Sequence, residues 1–379
     1  MRPCTRRVAI CVVGVTIAAA GCGDSDQAGS ATTLPSTTAA PVTSVATTTS
    51  NAATTAADRR AMLDGERESH GAPGALAVLR NGDKEWSAVS GVADLAGAEL
   101  TDSTRFRIAS ITKPIVALLV LKAVSRGELS LDDTVGDLVP GVLRRDPPIS
   151  VRMLLDHTSG IFNVGDEGDI AADIAKLTNP VLRREAMDLA TRYLAGERVS
   201  IPDRLYVALA ETHERYFEPG AGYHYSNVNY QLAGMVLERV TGVSLAELLR
   251  SQLVKPLGLH HTTLAPDDDG LPEMHGYGVD TVDGSLVDLT ADFLALGNGG
   301  SGGVISTGGE LLTIMQAIVS GELLPDPPVA DMRQATPHSE GTYGLGLARY
   351  RLSCGTFYGH AGAVSGTHSI AIVTPDGTA

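Results

Sequence analysis

The sequence predicts an α+β fold: an antiparallel sheet flanked by helices, interrupted by an inserted all-helical subdomain. Three observations carry this. Glycine-punctuated β-like runs lie toward both ends of the 379-residue chain, and the middle third is helix-rich. Asn81-Gly82-Asp83, between two β-like runs, is a strong hairpin signal. Strands at both ends with helices between imply one sheet assembled from both chain ends. The length suffices for one large domain or two subdomains. No internal repeat is visible.

In chain order, residues 1–22 read as a targeting segment. Arg2, Arg6 and Arg7 precede the apolar run Val8 to Ala20, which is too short to span a bilayer comfortably. The run ends Ala19-Ala20-Gly21-Cys22, which resembles a bacterial lipobox with alanine in place of the usual leucine. The expected mature N-terminus is a lipidated Cys22, the alternative being an ordinary secretory signal cleaved nearby. Residues 23–57 are of low complexity, and from Ser30 onward half are Ser or Thr. Such a segment buries too little surface to offset its ordering entropy and reads as a disordered tether. It would span roughly 30 Å on average and about 100 Å stretched.

The folded region, 58–379, opens with a helix-like stretch from Arg59 to His70. Gly74 to Arg80 and Glu85 to Val92 form the expected hairpin. Ser110 opens a helix to about Ser125, closed by Gly127. Asn227 could cap a helix carrying Leu232, Val236 and Val240 and ended by Gly242. Ser244-Leu245-Ala246-Glu247 is a capping box. Gly344 to Arg351, Thr356 to His360 and Thr367 to Thr374 read as strands. After Pro375-Asp376-Gly377 no returning strand follows. The sequence is therefore expected to be truncated, with a strand, a helix and a partner for Cys354 beyond Ala379.

Composition narrows the function. Apolar content is 43 % and charged content 19 %, as in a globular chain. There are only five lysines, and the formal charge is −15. Loss of Arg2, Arg6 and Arg7 would take it from −15 to about −18. With no basic patch among interleaved aromatics, nucleic acid is not an expected partner.

Three short motifs carry the chemistry. Ser110-x-x-Lys113, Tyr225-x-Asn227 and His360-x-Gly362 each occur once. Ser110 and Lys113 lie one turn apart on a helix face. A serine hydroxyl needs a base to become a nucleophile, and burial or a helix N-terminus lowers a lysine pKa toward that role. The helix end also aims amide N–H groups at a developing oxyanion. A tyrosine beside a lysine shares or loses its proton, so Tyr225 and Lys113 are both candidate acylation bases. Asn227 is suited to orient Lys113 and to hold a substrate carbonyl. The Ala363 N–H is a candidate second oxyanion donor. His360 could assist electrostatically or pass a proton to the leaving group.

Other features read as structural. His260-His261 is expected in a post-helix turn. Asp267-Asp268-Asp269-Gly270 lacks the rest of a calcium-loop pattern. Gly297 to Gly303 lacks the Lys-Ser/Thr of a phosphate loop. Asp156-His157-Thr158-Ser159-Gly160 follows an apolar helix and reads as a structural turn, with lining the site as the alternative. No metal or cofactor is expected.

At these residues the sequence resembles the serine β-lactamase-like superfamily, in the branch of class C β-lactamases and actinomycete D-alanyl-D-alanine carboxypeptidases. The resemblance runs from about Glu66 to the end and keeps the family's motif order. It includes Phe106-Arg107-Ile108-Ala109, Leu155-Asp156-His157-Thr158-Ser159-Gly160, Phe217-Glu218-Pro219-Gly220 and Tyr343-Gly344-Leu345-Gly346-Leu347. It implies that Ser110 is acylated with Lys113 as its partner. Tyr225 with Asn227, and His360 with Gly362, would be the second and third elements. One departure stands out. Carboxypeptidases of this branch usually carry threonines flanking the glycine and an arginine on the preceding strand, which grip the substrate carboxylate. Here the flanking residues are Ala361 and Ala363, and the nearest arginine, Arg349, could be out of register by one.

The expected activity is an extracytoplasmic, lipid-anchored or secreted serine hydrolase acting through an acyl-enzyme, first as a D-Ala-D-Ala carboxypeptidase on peptidoglycan peptides. An esterase or amidase is the runner-up, then a β-lactamase. A non-catalytic penicillin-binding lipoprotein would need a broken nucleophile set, and none is broken. The expected partners are a small peptide, β-lactam or ester substrate, the cell wall, and the membrane through the N-terminal lipid.

Overall fold

The computed structural model describes residues 9–14, 55–144, 148–164, 166, 170–195, 197, 199–265, 272–280, 283–290, 299–324, 328–364 and 366–378. Its strands are β1 (Ala9–Gly14), β2 (Gly74–Asn81), β3 (Lys84–Gly91), β4 (Phe106–Arg107), β5 (Thr263–Leu264), β6 (Tyr277–Val279), β7 (Leu286–Asp288), β8 (Val304–Ser306), β9 (Ala348–Leu352), β10 (Gly355–Val364) and β11 (Thr367–Val373). The main sheet runs β3-β2-β1-β11-β10-β9, with every neighbouring pair antiparallel. It is assembled from both chain ends, as the sequence indicated. A second sheet, β4-β8-β5, and the hairpin β6-β7 lie apart from it.

The β2–β3 hairpin turns at Gly82, whose φ of 56° suits glycine. Alternation along β2 sorts its side chains by size. Leu76 and Val78 enter the main core, whereas Ala75 and Ala77 join a small cluster with Leu63 and Ala88. The Ala56–Ser69 helix contributes Leu63 and covers that face. The Gly308–Ser320 helix covers the other; a Cβ on Gly308 would meet Val78 and Leu76 at 2.7 and 2.8 Å. This helix, whose apolar run follows the Gly308-Gly309 pair, is not among the elements expected from the sequence.

Residues 15–54, which follow β1, lie outside the described region. β1 belongs to the segment read as the apolar core of a leader. In the structure its backbone pairs with both neighbours, Ile10 lying opposite Ile372 on one side and Leu79 on the other. Cys22 itself, the tether through residue 54, and Asp267-Asp268-Asp269-Gly270 lie outside the described residues.

The helical part meets the sheet at β10 and β11 through residues 109–111. At its centre is the Thr112–Ser125 helix, buried along nearly its whole length from Thr112 to Leu121. A helix apolar all round must be central, and this one packs against the Asn227–Thr241 helix and the turn Gly299–Ser301. Gly127, at φ 70°, ends it as expected. Asn227 corrects its expectation by one residue: Ser226 is the N-cap and Asn227 the first helical position. That frees the Asn227 side chain from capping.

Candidate active site

Ser110 lies in a 3-10 turn, Ala109–Ile111, that feeds the Thr112–Ser125 helix. Ala109, just before it, has φ 50°, a costly conformation for a residue with a Cβ. The site is thus presented by a strained turn on a rigid, buried helix. Pro114 falls within the first helical turn, where its missing N–H costs nothing.

Lys113 is completely buried, and its Nζ has three partners. It donates to Asn227 Oδ1 at 2.7 Å and to the Ser301 carbonyl at 2.8 Å, and lies 3.0 Å from Ser110 Oγ. Both oxygens on Asn227 and Ser301 are obligate acceptors. In the neutral amine they take the two hydrogens, so the lone pair is directed at Ser110 Oγ. Burial pushes the Lys113 pKa well below its ordinary value, which favours that neutral form. Geometry and desolvation therefore agree on a general base. Ser301 was missed by the sequence reading, which had set Gly297 to Gly303 aside. It acts through a main-chain carbonyl, so no residue type signals it. The turn fits because Gly300 has no side chain: a Cβ there would lie 2.2 Å from the Tyr230 carbonyl.

Tyr225 approaches from the loop before the Asn227–Thr241 helix. Lys113 Nζ sits 4.8 Å from its ring centroid. Burial raises the Tyr225 phenol far above its ordinary range, and its hydrogen bond with Ser110 offsets only part of this. Of the two candidate bases, Lys113 is thus the one whose unprotonated form burial favours. Tyr225 keeps its proton.

β10 closes the site. Gly362 packs against the nucleophile turn; a Cβ on it would lie 2.3 Å from the Ile108 carbonyl and 3.1 Å from Ala109 Cβ. Ser369, opposite Gly362 in the ladder, also donates to the Ile108 carbonyl at 3.2 Å. These contacts set Ala363, next in the strand and exposed, beside the Ser110 turn. His360 is buried, and its ring is committed. Nδ1 donates to the Ala361 carbonyl, and Nε2 accepts from the Tyr343 hydroxyl at 3.2 Å. Burial lowers its pKa to about 3. It is a fixed neutral dipole with no mobile proton for a leaving group, which removes one of the two roles the sequence suggested.

Arg349 pairs with Tyr358, two residues along from His360 and so on the same strand face. Its guanidinium donates to the Arg333 carbonyl at 3.1 Å and lies 5.7 Å from the Tyr358 ring. Arg349 is thus on the face of His360 and Gly362 and not on that of Ala361 and Ala363, and its guanidinium is engaged elsewhere. His260 and His261 donate their main-chain N–H groups to Glu310, so that pair is a turn, as expected.

Residues 59–378 match the family model Beta-lactamase. The chain belongs to the β-lactamase family. A crystal structure of a D-stereospecific amidohydrolase from Streptomyces sp. superposes with a TM-score of 0.70 at 32 % identity, covering 86 % of this chain and 92 % of that one. Penicillin-binding protein 4 of Amycolatopsis lactamdurans is 27 % identical over 337 residues, 83 % of this chain and 80 % of its own length. Esterase EstB of Burkholderia gladioli is 32 % identical over 236 residues, 58 % of this chain; that match spans little more than half of the esterase, 56 %. The β-lactamase/transpeptidase fold and a serine hydrolase family are thereby established.

The lowered Lys113 pKa gives a signed pH dependence. The active form is the neutral amine, so kcat/KM falls as pH drops through the Lys113 pKa, well below the ordinary 10.5. Lys113→Met should reduce kcat/KM by about 100-fold or more and abolish that acid limb. Rate measurements from acid to alkaline pH on both proteins check this.

Proposed function

We propose that this chain is an ester or amide hydrolase, working through an acyl-enzyme on Ser110, for substrates that lack a free carboxylate beside the scissile bond. The acyl-transfer part rests on Lys113. Its lone pair takes the Ser110 proton as Oγ attacks the substrate carbonyl carbon. The resulting oxyanion would be held by the N–H groups of Ser110 and Ala363. As the tetrahedral adduct collapses, the ammonium of Lys113, relayed by the Tyr225 hydroxyl, protonates the departing alcohol or amine. A water then repeats the sequence on the acyl-enzyme, with Lys113 again the base.

The substrate class rests on what surrounds His360. Ala361 and Ala363 offer no hydroxyl, His360 is neutral, and Arg349 is tied to Arg333. None supplies the charge-assisted donors that a terminal carboxylate needs. The likeness to an esterase and a D-stereospecific amidohydrolase supports the same reading. A D-Ala-D-Ala carboxypeptidase is the second reading, favoured by the likeness to penicillin-binding protein 4 over most of both chains.

Hydrolysis of p-nitrophenyl acetate and D-phenylalanine amide, compared with diacetyl-Lys-D-Ala-D-Ala, separates the two. The neutral ester or amide should be preferred, and Ser110→Ala should lower its turnover by at least about 1000-fold. Preference for the peptide acid would establish the second reading instead.

We also propose export and lipid anchoring through Cys22, on the strength of the basic start, the apolar run and the lipobox-like end. Metabolic labelling with a palmitate analogue should mark the wild type and not Cys22→Ala. Equal labelling of both would exclude Cys22 as the site.

A further inference from the structure

The segment Asp156–Asn163 does not line the site, yet it grips the loop that does. The His224 N–H donates to the His157 carbonyl at 3.0 Å, and the Ser226 N–H to His157 Nδ1 at 3.2 Å. The Ser226 hydroxyl donates to the Phe162 carbonyl at 3.3 Å, and the Asn227 N–H to Asn163 Oδ1 at 2.8 Å. Tyr225 is therefore pinned from both sides, while its own hydroxyl is left for Ser110. The His157 ring lies under it, with centroids 4.3 Å apart, and also faces Tyr343, Tyr230 and Tyr223.

We propose that His157 is a positioning residue for the hydrolytic site, holding Tyr225 and Asn227 against Ser110 and Lys113 through an unprotonated Nδ1. This rests on the acyl-transfer reading above. The tautomer follows from the partners. Nδ1 faces two N–H donors, the Ser226 main chain and Asn229 Nδ2, the latter at 3.1 Å. The Asn229 amide is oriented by Ser159, whose hydroxyl donates to Oδ1 at 2.6 Å. Two donors on one nitrogen require a lone pair there, so the ring proton sits on Nε2. Nε2 is buried without a hydrogen-bond acceptor among the tyrosine rings. Burial disfavours the imidazolium. A second proton would also break both Nδ1 contacts.

The backbone gives an independent sign. His157 has φ 60°, a strained value for a residue with a Cβ. That conformation carries the ring under Tyr225 and directs its carbonyl to His224. The sequence offers Asp156-His157-Thr158-Ser159-Gly160 as a turn; the structure makes it the template for the Tyr225 loop.

Two substitutions in the full chain test this. His157→Asn keeps an acceptor near the Nδ1 position and tolerates positive φ. His157→Leu keeps the bulk and removes the acceptor. On p-nitrophenyl acetate, His157→Leu should lower kcat by about 100-fold with KM little changed, and His157→Asn should recover most of that loss. Long-range 1H–15N NMR of the wild type should show Nδ1 unprotonated and Nε2 protonated. Folded variants in which Asn is no better than Leu, or a protonated Nδ1, would overturn the proposal. Should His157→Leu fail to fold, the Asn variant and the NMR tautomer decide. If the wild type turns over neither esters, amides nor peptides, the function reading fails, and the tautomer alone decides the role of His157.

Discussion

A buried lysine amine governs this site. Lys113 is reached by two fixed carbonyl oxygens, one from a side chain and one from the main chain, and by the serine it serves. Each element of the fold contributes to that arrangement. The Thr112–Ser125 helix carries the amine into the core, the Asn227–Thr241 helix brings Asn227, and the Gly299–Ser301 turn brings a bare carbonyl. Burial disfavours the charge, and the two acceptors use up the hydrogens. What remains is a lone pair with one place to go.

The surrounding polar groups are arranged so as not to disturb this. His157 and His360 both lie near Lys113, and both are kept neutral by burial. A second positive charge would make an ammonium even less favourable, but it would also need a partner that the cavity lacks. Four tyrosines, Tyr223, Tyr225, Tyr230 and Tyr343, enclose His157, each with a phenol pushed upward by burial. In a chain with only 4 % aromatic residues, that concentration marks where rigid, protonated hydroxyls are needed.

Much of this was legible in the sequence, for identifiable reasons. Ser110-x-x-Lys113 and Tyr225-x-Asn227 are read by side-chain chemistry and spacing, and the structure brings all four residues together. The β2–β3 hairpin and the Gly127 and Gly242 helix ends are local signals that tertiary contacts did not override. What the sequence withheld was long-range or carried by the backbone. The Ser301 carbonyl has no side-chain signature. The committed state of His360 depends on Tyr343, seventeen positions away. The grip of His157 on Ser226 spans sixty-nine. The strain at Ala109 and the helix Gly308–Ser320, masked by its glycine start, were equally hidden.

Since the chain has five lysines, Lys113 can be followed directly. NMR titration of protein labelled at lysine Cε, assigned with Lys113→Met, tests the central claim most directly. One resonance, lost in that variant, should report a neutral amine at neutral pH. A Lys113 still charged at neutral pH would contradict the account, leaving Ser110 without its base.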